Sequence, residues 1–496
     1  MPDWIPPMLA TLTDRHFSDP AWIYETKLQE PRRDPARPRT RSVVRHTSHG
    51  LVVALTLAAI TFASIAFGLR VTPLQTISAL GQTVGVGAAP PSLSLSGPGE
   101  VELFGQSLPT SVRFLGPVRP RLVLNSITLN QQVAGLFDPS TSAGSAQALG
   151  DQLASGWKRY FLWEIAFVGL GALLLLGIVA GWRRHAWSWK KTLVTIAGGL
   201  VVVEVVNVGL IMLTATTAPA KLSAVGSLGE LVGRNEDAPI AAAPGPALTG
   251  VQAVVLGDST AAGLGDAPLA DPTPLDEACG RSVDAYAVHL ADVNRWNVRN
   301  LACAGATIRS GVLGPQTAND RTIPAQLAVA KRATGATAIV VSVGANDLRW
   351  APMIRLCAAF NECDDKASTL YYQRSLELFA RDYYVLLRQL AGLPNHPRVV
   401  INLYYAPFEA TDDCVTGLTP AKISVLLDRL AGLNAVLEEG AKTFEFLVAK
   451  PDFSGHGACS DRPYVQGLTD PAPFHPNATG ELVIALADER ALVGAP

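Results

Sequence analysis

Four short blocks in the last half of this 496-residue chain carry the side chains best suited to chemistry. The first is Gly257-Asp258-Ser259, directly after an apolar run, so its serine sits at a strand-to-helix turn, held out of the sheet beside helix N-terminal amides. The second is Ala302-Cys303-Ala304-Gly305-Ala306-Thr307, and the third is Gly344-Ala345-Asn346-Asp347. The fourth is Phe474-His475-Pro476-Asn477, shortly before a final helical stretch. A serine hydroxyl attacks a carbonyl only when a base stands within hydrogen-bond reach. The tetrahedral species that results needs donors already in place, each contributing on the order of 3 kcal/mol. Serine, histidine, asparagine and glycine are the residue types for that task. Each also has a plainer use: Ser259 as a helix cap, His475 as an N-terminal helix residue before Pro476, and Asn346 and Asp347 as turn formers.

The surrounding pattern says what must position these blocks. Residues 251–256, 298–302, 338–343 and 399–404 are compact β-branched runs of the kind found in parallel strands buried on both faces. Between them lie helical periodicities. The clearest covers 368–390, where Leu376, Phe379, Tyr383, Leu386 and Leu390 recur every three or four residues. Another begins at Pro420, an N1-type proline after Thr419. Strands alternating with helices predict an α/β fold with a doubly wound parallel sheet over residues 250–496. Ligands of such sheets bind at the carboxyl ends of the strands, where the first three blocks fall.

In that order and at those strand ends, the four blocks resemble the SGNH (GDSL-like) hydrolase family, over essentially all of residues 250–496. The resemblance implies a flavodoxin-like three-layer fold, Ser259 as nucleophile and His475 as its general base. It further implies an oxyanion hole made of the backbone N–H groups of Ser259 and Gly305 and the side-chain amide of Asn346, with glycine at 305 keeping the reacting centre uncrowded. No cofactor is implied. One feature departs from the family pattern. Many members carry aspartate three residues before the histidine, where this chain has Ala472; Asp470 stands five residues before it, between prolines 471 and 473. Either the backbone carbonyl of Ala472 orients the ring, giving a Ser–His dyad, or Asp470 swings in from another angle. The dyad is the preferred expectation. His456, in Ser-Gly-His-Gly-Ala-Cys, is a rival histidine without the His-Pro-Asn context and reads as a loop residue.

All six cysteines (279, 303, 357, 363, 414 and 459) lie in this half. Confined to one domain, they read as disulfides of an oxidising compartment, since no C-x-x-C or Cys/His cluster with zinc spacing appears. Resemblance to the secreted members of the family implies the sequential pairing Cys279–Cys303, Cys357–Cys363 and Cys414–Cys459.

The first half has a different composition. Apolar residues make up 48% of the whole chain and charged residues only 17%, a balance that points to membrane segments. Residues 50–69, 160–182 and 192–214 are each long and apolar enough to span a bilayer. Arginines at 32, 33, 37, 39, 41 and 45, and the basic loop 183–191 with Arg183, Arg184, Lys190 and Lys191, predict cytoplasmic flanks. Residues 70–159, and everything beyond the third segment, then face outward. Glu204 and Asn207 lie inside the third segment, where a carboxyl is costly unless protonated or paired. The alternatives are an intramembrane function and a hydrogen bond to a neighbouring helix or to Asn207. Alternating apolar and polar residues over 92–129 predict a small β-rich module within the outward segment, and Ala/Pro/Gly-rich 215–249 reads as a linker.

Residues 1–49 are predicted to be cytoplasmic. Within them, residues 6–33 resemble the opening of an ATP-dependent DNA ligase adenylation domain. The tetrad Lys27-Leu28-Gln29-Glu30 lacks the aspartate and glycine of the K-x-D-G motif, and a membrane segment follows at once, so ligase activity is not expected. A formal net charge of −2 offers no basic field for nucleic acid. The expected function is a multi-pass, membrane-anchored ester hydrolase working outside the cytoplasm through an acyl-enzyme, on lipid or acylated-carbohydrate esters. The alternatives are an acyltransferase to a sugar hydroxyl and a catalytically idle binding module of the envelope.

Overall fold

The computed structural model describes residues 38–79, 82–92, 94, 96–127, 142–183, 187–222, 231–232 and 240–494. The ligase-like segment 6–33 lies outside them. Residues fall into two compact units, Met1–Ala59 and Ile60–Pro496. Of the first, residues 38–59 are described, and they form the leading part of helix α1 (Pro38–Val71).

In the second unit five strands follow α1: β1 (Gln75–Ala79), β2 (Gln82–Ala88), β3 (Ser96–Leu103), β4 (Gln106–Leu115) and β5 (Pro120–Ile127). They form one sheet in the order β1-β2-β5-β3-β4, antiparallel except for the β3–β5 pair. The module is thus larger than the 92–129 pattern suggests, because β1 and β2 precede it. Helices α2 (Ser142–Trp182) and α3 (Trp189–Leu222) come next. Among the described residues three helices are long and apolar enough to cross a membrane, over Gly50–Val71, Gln152–Trp182 and Trp189–Thr217, each extending beyond the stretch expected from hydropathy. Within the second unit α1 and α2 approach closely: Gly68 lies against Val168, and Gly171 against Phe67 and Ser64. Among the residues inside the spans, the Asn207 amide donates to fully buried Glu164 at 2.9 Å, linking α3 to α2. Asn207 therefore bonds across the helices to Glu164 and also lies within hydrogen-bond reach of its chain neighbour Glu204.

The C-terminal half alternates strands and helices: β6 (Ala253–Gly257), α4 (Ser259–Ala262), α5 (Pro274–Cys279), α6 (Tyr286–Asn294), β7 (Val298–Asn300), β8 (Gln316–Ala318), β9 (Arg321–Ile323), α7 (Gln326–Ala330), β10 (Ala338–Ser342), α8 (Trp350–Ala359), α9 (Lys366–Ala391), β11 (Arg398–Asn402), α10 (Pro420–Thr443), β12 (Leu447–Ala449) and α11 (Ala478–Val493). Five strands pair in the order β12-β11-β10-β6-β7, all parallel. β6 and β10 are buried at every position, as unbroken β-branched runs require when helices cover both faces. Helix α10 starts with Thr419 as its N-cap and Pro420 just inside, as the sequence predicts. The cysteines pair 279–303, 357–363 and 414–459.

The small sheet is not a separate body. Val101, Leu103, Phe104, Leu108 and Leu124 lie in one apolar cluster with Tyr383 and Tyr384 of α9 and Leu437 and Phe444 of α10. Phe104 meets the Tyr383 ring edge-on at 5.6 Å. Residues 240–248 also lie along the surface of the C-terminal half: Ala243 N–H donates to Ala328, Leu248 N–H to Arg332, and Lys331 reaches the Ile240 carbonyl. Phe104→Ala is therefore expected to destabilise the C-terminal half by about 3 kcal/mol, as for a buried aromatic cut back to a methyl. Thermal unfolding of the full chain, followed by circular dichroism, checks it; an unchanged midpoint would show that the small sheet and the parallel sheet are independent.

Candidate active site

Ser259 is the first residue of α4, placed there by the turn that ends β6. Its neighbour Asp258 caps the helix, accepting from Thr260 N–H at 3.0 Å. The plain capping role thus belongs to Asp258, leaving the Ser259 hydroxyl for another partner. That partner is His475, whose Nε2 lies 2.8 Å from Ser259 Oγ across 216 residues of sequence. Both side chains are half-buried.

His475 is held from several sides. Gln466 N–H donates to the His475 carbonyl at 2.7 Å, and Phe474 N–H donates to the Gln466 carbonyl at 3.0 Å. Tyr405 hydroxyl donates to the Phe474 carbonyl at 3.0 Å. The Gln466 amide donates to Leu264 and Pro476 carbonyls, lashing the histidine loop to the segment after α4. Burial pulls the His475 pKa below its usual 6.5, and the carbonyls of Pro473 and Ala472 oppose that shift.

The Pro473 carbonyl lies 3.4 Å from His475 Nδ1, while the Ala472 carbonyl accepts the backbone N–H of His475 at 3.1 Å. The Pro473 carbonyl is thus the nearer acceptor for Nδ1, with the Ala472 carbonyl beside it. Asp470 is exposed, and its carboxylate accepts Gly467 N–H at 2.7 Å, closing its own turn. Asp470→Ala is expected to change kcat/KM by less than about threefold, since lost histidine orientation costs far more, up to about 10⁴. Steady-state ester hydrolysis reads this, and a hundredfold loss would put Asp470 on the ring after all.

The second and third blocks meet at the same sheet edge. Cys303 N–H donates to Gly257 O at 3.1 Å, and Asp258 N–H to Ser342 O at 3.1 Å, so both loops flank the Ser259 turn. The Asn346 amide donates one hydrogen to Ala306 O at 3.0 Å, and Asp347 accepts Ile308 N–H at 3.1 Å. Burial raises the Asp347 carboxyl to about 7. Gly305 has φ +78°, and a side chain there would meet no protein atom within 4 Å. Backbone conformation, not crowding by the protein, is why glycine stands at 305. Among the described residues no acceptor takes the Gly305 N–H. His456 is elsewhere, stacked on Tyr464 at 3.8 Å between centroids with Nδ1 against the Arg462 carbonyl.

Residues 255–482 match the model of the GDSL-like Lipase/Acylhydrolase family. This segment is a GDSL-like lipase/acylhydrolase domain. Its class is that of the serine ester hydrolases. Similar solved structures include an extracellular lipase from Streptomyces rimosus, 19% identical, covering 49% of this chain and 99% of its own, with a TM-score of 0.40. A phospholipase A1 from Streptomyces albidoflavus is 20% identical, covering 49% of this chain and all of its own, at 0.37. A carbohydrate acetylesterase from Sinorhizobium meliloti is 12% identical over 49% of this chain and 100% of its own, at 0.30. No curated protein matches the chain in sequence.

Several residues of the GDSL-like domain escape a reading of blocks. Gln326 pairs its amide with both the N–H and the carbonyl of Gly257, at 2.8 and 2.9 Å. Tyr404, just past β11, donates to Asp258 Oδ2 at 2.6 Å. Burial raises the Asp258 carboxyl to about 6, against the downward pull of that bond. Gln326 and Gln466 have no local signal at all; Tyr404 has only its place at a strand end.

Proposed function

We propose that the chain is a membrane-anchored ester hydrolase whose catalytic pair is Ser259 and His475, working through an acyl-enzyme. The 2.8 Å contact between Ser259 Oγ and His475 Nε2 at the carboxyl edge of the sheet carries this reading. His475 Nε2 takes the hydroxyl proton as Ser259 Oγ bonds to the ester carbonyl carbon. The new oxyanion is met by the N–H groups of Ser259 and Gly305 and by the second amide hydrogen of Asn346. Protonated His475 then returns its proton to the leaving alkoxide as the C–O bond breaks. Water, deprotonated by His475, attacks the acyl-enzyme, and the acid leaves as Ser259 regains its hydrogen. With Asp470 closed into its own turn, the Pro473 carbonyl is the group that steadies Nδ1–H, making this a dyad. The arginine-rich flank before the first span and the basic loop before the third favour a cytoplasmic side for those ends, and the three disulfides suit an oxidising exterior. The catalytic half thus faces outward, towards lipid or acylated-glycan esters.

The test uses the full chain in detergent or nanodiscs, because its two five-stranded sheets share a core. The chain should release nitrophenol from p-nitrophenyl esters and take up a serine-directed fluorophosphonate, with the label lost in Ser259→Ala. A folded chain that does neither sinks the proposal. The base must be neutral, and the lowered His475 pKa keeps it so down to below 6.5. Asp258, raised to about 6, accepts most strongly from Tyr404 when it is ionised. The expected kcat/KM profile is flat above about pH 7 and falls as pH drops past about 6; an acid limb centred above 7 would contradict it.

A further inference from the structure

We infer that Tyr404 is a positioning residue for this reaction, locking the turn that carries Ser259 to the turn that carries Asn346. The inference rests on the functional reading above and adds a residue that the four blocks omit. β11 is not a neighbour of β6; β10 lies between them. From just beyond the end of β11 the Tyr404 side chain reaches over the end of β10 to Asp258. Its hydroxyl donates to Asp258 Oδ2 at 2.6 Å and accepts the N–H of Ala345 at 3.1 Å. A phenol has one proton, so receiving the amide hydrogen leaves that proton directed at the carboxylate. The other Asp258 oxygen takes Thr260 N–H at 3.0 Å, inside α4. One unbroken line of bonds therefore joins Ala345, one residue before Asn346, to the turn of α4 that presents Ser259.

The anchor is itself fixed. Both backbone polar groups of Tyr404 are held by the Asn434 amide of α10, each at 2.8 Å. Asp258 is fully buried, so its bond to Tyr404 is a charge-assisted one with no water to replace it. The functional consequence is geometric. Ser259 must reach the carbonyl carbon while Asn346 reaches the oxygen of the same group, so their spacing is part of the transition state. Binding the rest of an ester does not depend on that spacing. A small shift of such groups costs up to about a hundredfold in rate, and the loss should appear in kcat and leave KM alone.

The experiment compares Tyr404→Phe, Asp258→Asn and their double variant with wild type, as full chains, on a p-nitrophenyl ester. Tyr383→Phe serves as the comparison, because it also deletes a buried phenol bond, to the Leu437 carbonyl at 2.9 Å, without joining the two turns. Tyr404→Phe should lower kcat about tenfold or more with KM changed less than about twofold. The double variant should be no slower than the slower single, since both cut the same line. Tyr383→Phe should lower the melting temperature at least as much while keeping kcat. The inference is overturned if Tyr404→Phe keeps kcat within about twofold, if the two losses multiply, or if kcat follows melting temperature in both phenylalanine variants. Should Asp258→Asn fail to fold, the two phenylalanine variants decide alone. A wild-type chain that neither turns over ester nor takes the fluorophosphonate overturns the functional reading along with the inference, whereas an active wild type with an indifferent Tyr404→Phe overturns the inference only.

Discussion

Alanine at Ser259 or at His475 should reduce kcat/KM by about 10⁴-fold or more, and alanine at both should reduce it no further. The reason is that neither works without the other. A hydroxyl with no base is a poor nucleophile at neutral pH, and a base whose partner hydroxyl, 2.8 Å away in the wild type, has been removed has nothing to deprotonate. The residual rate in all three variants then comes from the oxyanion donors and from binding. Steady-state hydrolysis on the purified full chain, with circular dichroism to show that each variant is folded, measures the cycle. If His475→Ala keeps more than about a tenth of the activity, another group serves as base. His456 does not fill that place, since its ring is committed to Tyr464 and the Arg462 carbonyl.

Asn346→Ala should cost about 10²- to 10³-fold in kcat with little change in KM, the usual result of removing one oxyanion donor. One hydrogen of the Asn346 amide is used on Ala306 O, so the side chain arrives already oriented, with its second hydrogen left to donate. Structure is spared because Asp347, next in sequence, still ties the two loops together through Ile308 N–H. Asn346→Asp separates the roles further. At neutral pH it keeps shape but sets a carboxylate, which has no hydrogen to donate, against a developing oxyanion, so it should be at least as slow as alanine. Equal kcat in wild type and Asn346→Ala would remove Asn346 from the site.

Part of the architecture was legible because its signals are local. Apolar runs above bilayer length announce spanning helices whatever the rest of the chain does, and the three in the structure run past the predicted ends by a few turns at most. β-branched runs such as 338–342 announce strands buried on both faces. β12 went unread because three residues, two of them only partly buried, carry no periodicity. The small sheet's strands show one buried face, yet alternation cannot name what covers it. Phe104 against Tyr383 is decided by packing between segments nearly 300 residues apart.

The site divides along the same line. Blocks with restricted residue types, including Ser259, Gly305, Asn346 and His475, were nameable from sequence because their chemistry or backbone demands leave few substitutes. By itself the sequence also determined the α/β alternation, the hydropathy of the first half and, through the resemblance, the cysteine pairing. Only the tertiary structure decided that a serine and a histidine 216 residues apart stand within hydrogen-bond distance. It alone set Asp470 aside in its own turn, faced the ring with the Pro473 carbonyl, and brought Tyr404 over β10 to Asp258. The physical reason is that a hydrogen bond depends on where two atoms lie to within a fraction of an ångström, and that placement is the outcome of every packed contact in the fold, written in no single stretch of chain.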